Sequence, residues 1–220
     1  MRVTYEDVKR SEEIRTYITQ ADASLIALGY TEHSFAHVTR CAEVAGDLLA
    51  ELGYDEHQIE LCKIAAYMHD IGNVVNRHDH NVSGATMAFR ILDNMGMEPE
   101  DVAAVITAIG HHDDATAFPV NAIAAALILA DKTDVRRSRV RNRETINFDI
   151  HDGVNYAVER SEVSLDRDSK TFTLSLSINT EVCAVMDYFE IFLDRMLLCR
   201  KAAEKLGLSF RLVVNGQAVM

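Results

Sequence analysis

Seven side chains of metal-ligand type stand out in this chain: His37, the adjacent His69 and Asp70, His80, the adjacent His111 and His112, and Asp131. Imidazoles and carboxylates together suit first-row transition metals, and a divalent ion held by them can acidify a water and offset charge on a phosphoryl oxygen. Their setting matters more than their number. Asp131 follows the run VNAIAAALILA over 120–130, whose only polar side chain is Asn121, so this helix must be buried on most faces. An ionised carboxylate there is costly unless a cation accompanies it. His69 and Asp70 repeat the pattern, ending IELCKIAAYMHD just before a glycine. Two apolar helices that end in ligands imply one site between them.

The elements that must position these ligands are helical from about 11 to 138. Cys41, Val44, Leu48 and Leu52 fall on one helical stripe, Gly53 stops that helix, and Asp55 with Gln58 caps the next. His37 is in line with Cys41, Val44 and Leu48, so its imidazole points into the bundle. Pro99 suits a first helical turn carrying Glu100 and Asp101, and Pro119 can open the helix that delivers Asp131. After about 145 the pattern changes. Phe172, Leu174, Leu176 and Ile178 alternate as a half-buried strand, paired in a hairpin with roughly 156–166. A long helix over about 181–206 stops at Gly207, and Phe210, Leu212 and Val214 mark a final strand. The expected architecture is mainly α: a helical domain over 1–144 and a small α+β extension over 145–220, packed on it.

With 22 basic and 34 acidic residues among 220, the formal charge is −12, which disfavours the broad basic footprint of a duplex nucleic-acid binder. Cys41, Cys62, Cys183 and Cys199 show no C-x-x-C spacing and sit mostly at apolar helix positions, so reduced core thiols are expected. The opening MRVTYEDVKRSEEIR has no apolar stretch of signal type, and no apolar run approaches the roughly 18 residues a membrane span needs. These features predict a cytoplasmic protein with a small-molecule partner and no membrane contact, a homodimer remaining an option.

The order H…HD…D, here His37, His69-Asp70 and Asp131, resembles the signature of the HD superfamily of metal-dependent phosphohydrolases. HVTRCAEVA around His37 is similar to that family's H-x-x-R-V helix, and AAYMHDIG to its A-x-x-H-D-I-G segment. The resemblance covers roughly 30–140 and implies an HD-domain helical bundle in which His37, His69, Asp70 and Asp131 hold a first metal. HNVSGATMAFRIL from His80 and the histidine pair in ITAIGHHDD resemble the binuclear branch. There Asp70 would bridge two metals and position the metal-bound water, with His80, His111 and His112 on the second. The alternative is one metal, with His80 and the pair lining the pocket. The resemblance implies one or two divalent transition metals, iron or manganese ahead of cobalt, nickel or zinc, although the ligand types alone suit all five.

Two departures bear on the substrate. Asn73 stands where a lysine commonly follows H-D-I-G, and DDATAFPVN after His112 lacks the G-Y-P element of cyclic-dinucleotide phosphodiesterases. Asn73 can still bond a phosphate oxygen. Lys132, Arg136, Arg137, Arg139, Arg141 and Arg143 crowd the segment after Asp131; Lys132, Arg136 and Arg137 are the expected phosphate contacts, against the alternative of a solvated helix end. His78 should face away from His80, His33 is expected at the surface with a pocket contact as the alternative, His57 in an exposed first turn, and His151-Asp152 in a loop. Asp113 and Asp114 could protonate a leaving oxygen or support a ligand histidine. The function that follows is hydrolysis of a small phosphorylated substrate, a nucleotide or other phosphomonoester. Some relatives with this ligand set are mixed-valent di-iron oxygenases, and a non-catalytic metabolite sensor is a third reading.

Overall fold

The computed structural model describes residues 3–114, 116–141 and 150–220, with side chains from 153 onward in the last segment. Helices α1 (Tyr5–Arg10) and α2 (Glu12–Ala27) begin after Thr4 and Ser11, whose hydroxyls accept from first-turn amides. Then follow α3 (Phe35–Glu51), α4 (Glu56–Met68), α5 (His80–Asn94), α6 (Pro99–Gly110) and α7 (Ala122–Lys132). Asp55 caps α4 through the Gln58 amide, and Asn121 caps α7 through the Ala124 amide. Of the expected stripe on α3, Cys41 and Leu48 are buried, along with Val38, Ala45 and Leu49, while Val44 and Leu52 are half-buried against the core. Helix α7 is the axis of the bundle. Every residue from Ile123 to Ala130 is buried, because α3, α4, α6 and a later helix, α9 (Val185–Lys205), all pack on it.

The C-terminal part contains α8 (Ile150–Ala157), β1 (Val158–Asp166), β2 (Thr171–Ile178), α9, β3 (Ser209–Val214) and β4 (Gln217–Ala218), in one sheet of order β1-β2-β3-β4. The expected hairpin forms, with β1 antiparallel to β2 and Leu165 opposite Phe172. Strand β3 pairs parallel to β2, Leu174 beside Leu212, with α9 as the crossover that a parallel pair requires. Phe172, Leu174, Leu176 and Ile178 are all buried. One expectation is corrected: the stretch read as a loop before the hairpin is α8. The side chains of His151 and Asp152, Arg143, and the expected boundary at 144/145 lie outside the described residues. Among the described residues no helix is long and apolar enough to cross a membrane.

The 3-10 turn Ile71–Val74 after Asp70 lies hard against the first turns of α5. A Cβ on Gly72 would fall 2.0 Å from the His80 carbonyl oxygen and 2.5 Å from the Gly84 nitrogen, both backbone atoms that cannot swing aside. We therefore expect Gly72→Ala to cost about 3 kcal/mol through overpacking and to push His80 away from Asp70. Chemical denaturation should show a lower midpoint at unchanged slope. A wild-type midpoint would contradict this packing.

Candidate metal centre

Four imidazoles and two carboxylates converge from separate elements. His37 comes from the first turn of α3, His69 and Asp70 from the end of α4, His80 opens α5, His112 follows α6, and Asp131 lies in the last turn of α7. Asp70 is central. Its Oδ2 lies 3.2 Å from His69 Nε2 and 3.7 Å from His37 Nε2, while its Oδ1 lies 3.4 Å from His80 Nε2 and 4.0 Å from His112 Nε2. Asp131 Oδ1 joins the first group, 3.3 Å from His37 Nε2. His37, His69 and Asp70 form one set of ligand atoms within 4.8 Å of one another, and Asp70, His80 and His112 form another.

The bonds behind the rings decide which nitrogen remains. Nδ1 of His69, His80 and His112 donates to the carbonyls of Ala66, Arg77 and Ile109 at 2.7, 3.0 and 2.6 Å. His37 Nδ1 donates to Asp134 Oδ2 at 2.7 Å. A carbonyl only accepts, so in each neutral ring the proton sits on Nδ1 and Nε2 turns its lone pair inward. Burial pulls the pKa of His80 and of His112 down, which keeps both neutral. His80 Nε2 and His112 Nε2 consequently face each other across 3.2 Å, lone pair to lone pair. His69 Nε2 and Asp70 Oδ2 are likewise buried without a hydrogen-bond partner. Opposed lone pairs repel, and an unpaired buried acceptor costs about 1–3 kcal/mol. Cations placed among these atoms reverse both penalties, so the donor set fits divalent metal.

Charge in the site is balanced by neighbours. Burial pushes the Asp70 and Asp131 carboxyls up, but His69 beside Asp70 and Lys132 beside Asp131 hold both well below the usual carboxylate range. Burial pulls His69 down, yet the Asp70 carboxylate outweighs it and the net shift is upward. Asp134, fully buried one turn beyond Asp131, accepts from His37 and from Arg136 Nη2 at 2.9 Å, with Arg40 Nε at 3.5 Å. It fixes the His37 ring from behind.

Of the residues singled out in the sequence, His111 is the ligand candidate not brought in. It is half-buried, its Nδ1 bonds the Thr107 carbonyl at 2.9 Å, and it joins neither set, because neighbouring residues at a helix end diverge by about 100°. Asn73, expected to contact phosphate, does not line the cavity. It is buried, and its amide donates to the Asp70 carbonyl and to Asp70 Oδ1, both at 2.9 Å, so it orients that carboxylate. Arg136 is committed to Asp134; Arg137 bonds the Tyr156 carbonyl and lies 4.4 Å over the Tyr156 ring. Neither lines the cavity, since both side chains are drawn to these other partners. Lys132 does line it, with Nζ 2.7 Å from Asp131 Oδ2 and 3.1 Å from Asp114 Oδ1.

The cavity above Asp70 measures about 180 Å³. His33, Arg77 and Arg139 wall it from the bundle, and Asn155, Phe192 and Arg195 from the C-terminal part. His33, expected at the surface, faces inward because it precedes the helix and its Nδ1 is tied to the Thr31 carbonyl at 2.7 Å. Burial, then Arg139, lowers its pKa well below the ordinary value. His57, expected exposed, bonds Asp101 Oδ1 at 2.7 Å and links α4 to α6. His78 is exposed, as read, and pairs with Asp79. Asp113 Oδ1 stands 3.9 Å from His80 Nδ1, and Asp114 pairs with Lys132 and Arg195. All four cysteines are free and buried. The missed residues carried little local signal: Arg77 lies ahead of the helix that His80 opens, Asp134 lies beyond the end of α7, and Arg195 has no motif around it.

This bundle and ligand arrangement belong to the HD-domain family, whose model matches residues 34–143, half of the chain. The chain thus belongs to that family, with a donor set that fits divalent metal. An uncharacterized protein of Methanocaldococcus jannaschii is 25% identical over 203 residues, covering 82% of this chain and 78% of its own. Ribonuclease Y of Thermobifida fusca is 33% identical over 138 residues, 57% of this chain and 26% of the ribonuclease. Ribonuclease Y of Cutibacterium acnes is 32% identical over 124 residues, 53% of this chain and 22% of the ribonuclease. The chain therefore spans only 26% and 22% of the lengths of these two ribonucleases. Among solved structures, a predicted HD superfamily hydrolase from an uncultured Thermotogales bacterium aligns with a TM-score of 0.46 at 26% identity, over 60% of this chain and 73% of that one.

Metal removal should be visible in stability. Protein purified with bound metal is expected to lose about 3 kcal/mol on chelation if metal had been present near a hundredfold excess over its Kd. The drop in Tm should reverse when manganese is added back. His78→Ala, at an exposed position beside the site, should retain wild-type metal content and the same response. A Tm indifferent to chelator would rule out a metal that stabilises this fold.

Proposed function

We propose that this protein is a phosphohydrolase that acts on a small phosphorylated molecule, a nucleotide or other phosphomonoester, with two divalent ions, iron or manganese in preference, sharing Asp70. The observation that carries the reading is the orientation of Asp70: its two oxygens face two different sets of inward lone pairs on the floor of a small cavity with cationic walls. Divalent ions, when bound, supply charge and a water whose pKa falls from about 15.7 toward about 7.

The residues of the chain orient and confine. Backbone carbonyls and Asp134 hold the imidazoles, and Asn73 holds Asp70. Lys132 offsets the outward oxygen of Asp131. His33 turns Nε2 toward the cavity as an acceptor for a water or a substrate hydroxyl. The buried ring of Phe192 keeps bulk water off one wall. A cavity of about 180 Å³ admits a phosphoryl group with a modest remainder, and a chain of net charge −12 disfavours a duplex. Similarity to proteins named ribonuclease Y supports a second reading, cleavage of a phosphodiester in RNA.

The test is a panel of phosphomonoesters, nucleoside polyphosphates, phosphodiesters and short RNA, assayed with manganese under anaerobic conditions against an Asp70→Ala control. Phosphate release from a monoester is the expected result. Faster cleavage of RNA would favour the second reading, and no turnover above the control on any compound would reject hydrolysis. Full activity without oxygen removes the oxygenase alternative.

A further inference from the structure

Among the described residues four cationic side chains face the cavity: Arg77, Lys132, Arg139 and Arg195. Arg195 alone of these lies outside the segment the HD family model matches. It stands on α9 with its guanidinium 5.0 Å from the centre of the Phe192 ring. Arg139 is committed to the carbonyls of Glu32 and Asp134, and Arg77 Nη1 donates to Asn73 Oδ1 at 3.2 Å. The other two cations are differently engaged. Arg195 Nε donates to Asp114 Oδ2 at 2.7 Å, and Lys132 Nζ approaches Asp114 Oδ1 at 3.1 Å. The Asp114 carboxylate thus sits between an ammonium and a guanidinium as a bound oxyanion would. It is also the most exposed of the three side chains, at 36%, against 31% for Arg195 and 7% for Lys132.

We propose that Lys132 and Arg195 form the clamp for a phosphate oxygen of the substrate, that Asp114 holds the place of that oxygen until substrate arrives, and that α9 thereby completes the site. Arginine offers parallel donors that match a phosphate, and charge-assisted bonds made out of full solvent are the strong ones. The pair also adjoins the ligands, because Lys132 contacts Asp131 at 2.7 Å. Phosphate as the ligand rests on the phosphohydrolase reading; the role of Arg195 is argued from its contact with Asp114 and its place on the cavity wall.

Orthophosphate is the probe. It is titrated by calorimetry into manganese-loaded wild type, Arg195→Met, Asp114→Asn and the double variant, with metal content and Tm measured on each. Arg195→Met should weaken phosphate about tenfold or more at unchanged metal content. Asp114→Asn should tighten it, and that gain should shrink in the double variant, where Asp114 has only Lys132 left to occupy. If Arg195→Met lowers Tm but leaves phosphate affinity intact, or if the Asp114→Asn gain survives undiminished in the double variant, Arg195 only braces the fold and the proposal is overturned. Should Arg195→Met not fold, Arg195→Lys keeps the charge without the planar fork, and unchanged affinity there is equally decisive against the clamp. A metal-loaded wild type that binds no phosphate would overturn the phosphohydrolase reading together with the clamp. Affinity that ignores Arg195 removes the clamp alone.

Discussion

Asp70→Ala is expected to give a folded protein that retains less than a tenth of the wild-type metal and whose phosphate release falls by about a thousandfold or more, roughly 4 kcal/mol of barrier. The reason is position. Asp70 is the one residue common to both sets of ligand atoms, with one oxygen toward His37 and His69 and the other toward His80 and His112. Without it each set loses its shared anion, and the His80 and His112 side keeps only neutral imidazoles to hold a dication. The fold should survive, because the Asn73 amide still bonds the backbone carbonyl of residue 70 and the turn Ile71–Val74 stays anchored. Elemental mass spectrometry reads the metal, and a Tm that no longer responds to chelator reads the linkage. Near-stoichiometric metal in Asp70→Ala would show that Asp70 is not shared between ions.

Asp134→Ala should be the most destabilising change at the site, costing about 3–5 kcal/mol, as when one partner of a buried ion pair is removed. Asp134 is fully buried and receives His37 Nδ1, the Arg136 fork and Arg40. Burial pushes its carboxyl up, but the Arg136 and His37 bonds dominate and hold it far below the ordinary range. Its loss strands guanidinium charge and frees the His37 ring to turn or change tautomer. Metal affinity should therefore fall about 10- to 100-fold, the usual effect of removing the group behind a ligand histidine. Asp134→Asn, which can still accept from His37 but lacks the charge, should lie between wild type and Asp134→Ala in both stability and metal affinity. Denaturation midpoints and a metal titration measure the two effects. A midpoint within experimental error of wild type would mean that Arg136 and Arg40 find other partners, and the network would have no structural weight.

The legible residues were those whose local setting already conflicts with their chemistry. Asp131 after an apolar helix, and His69 with Asp70 at the end of another, are explicable only with a cation, and the structure places them together with His37. The stripe of α3 and the alternation of β2 were likewise readable, since burial follows a period of 3.6 or of 2 wherever an element has one wet face. Arg136 and Arg137 misled for a physical reason: nearness in sequence to Asp131 says nothing about direction once the helix ends, and both side chains turn to other partners. His33 escaped because helical spacing does not apply to a residue ahead of the cap. Asn73 was read by its donor chemistry, whereas its neighbours had already claimed those donors.

By itself the sequence determined the kinds of ligand, the helices that end in them and the mainly helical architecture, because residue chemistry and periodic burial act over a few residues at a time. Only the tertiary structure decided that Asp70 looks toward two sets of imidazoles, that His111 stays apart, and that Arg195 on α9 reaches Asp114. Those outcomes depend on how α9 and α5 pack against distant helices. The energies involved are sums over long-range contacts, which no local spacing of residues encodes.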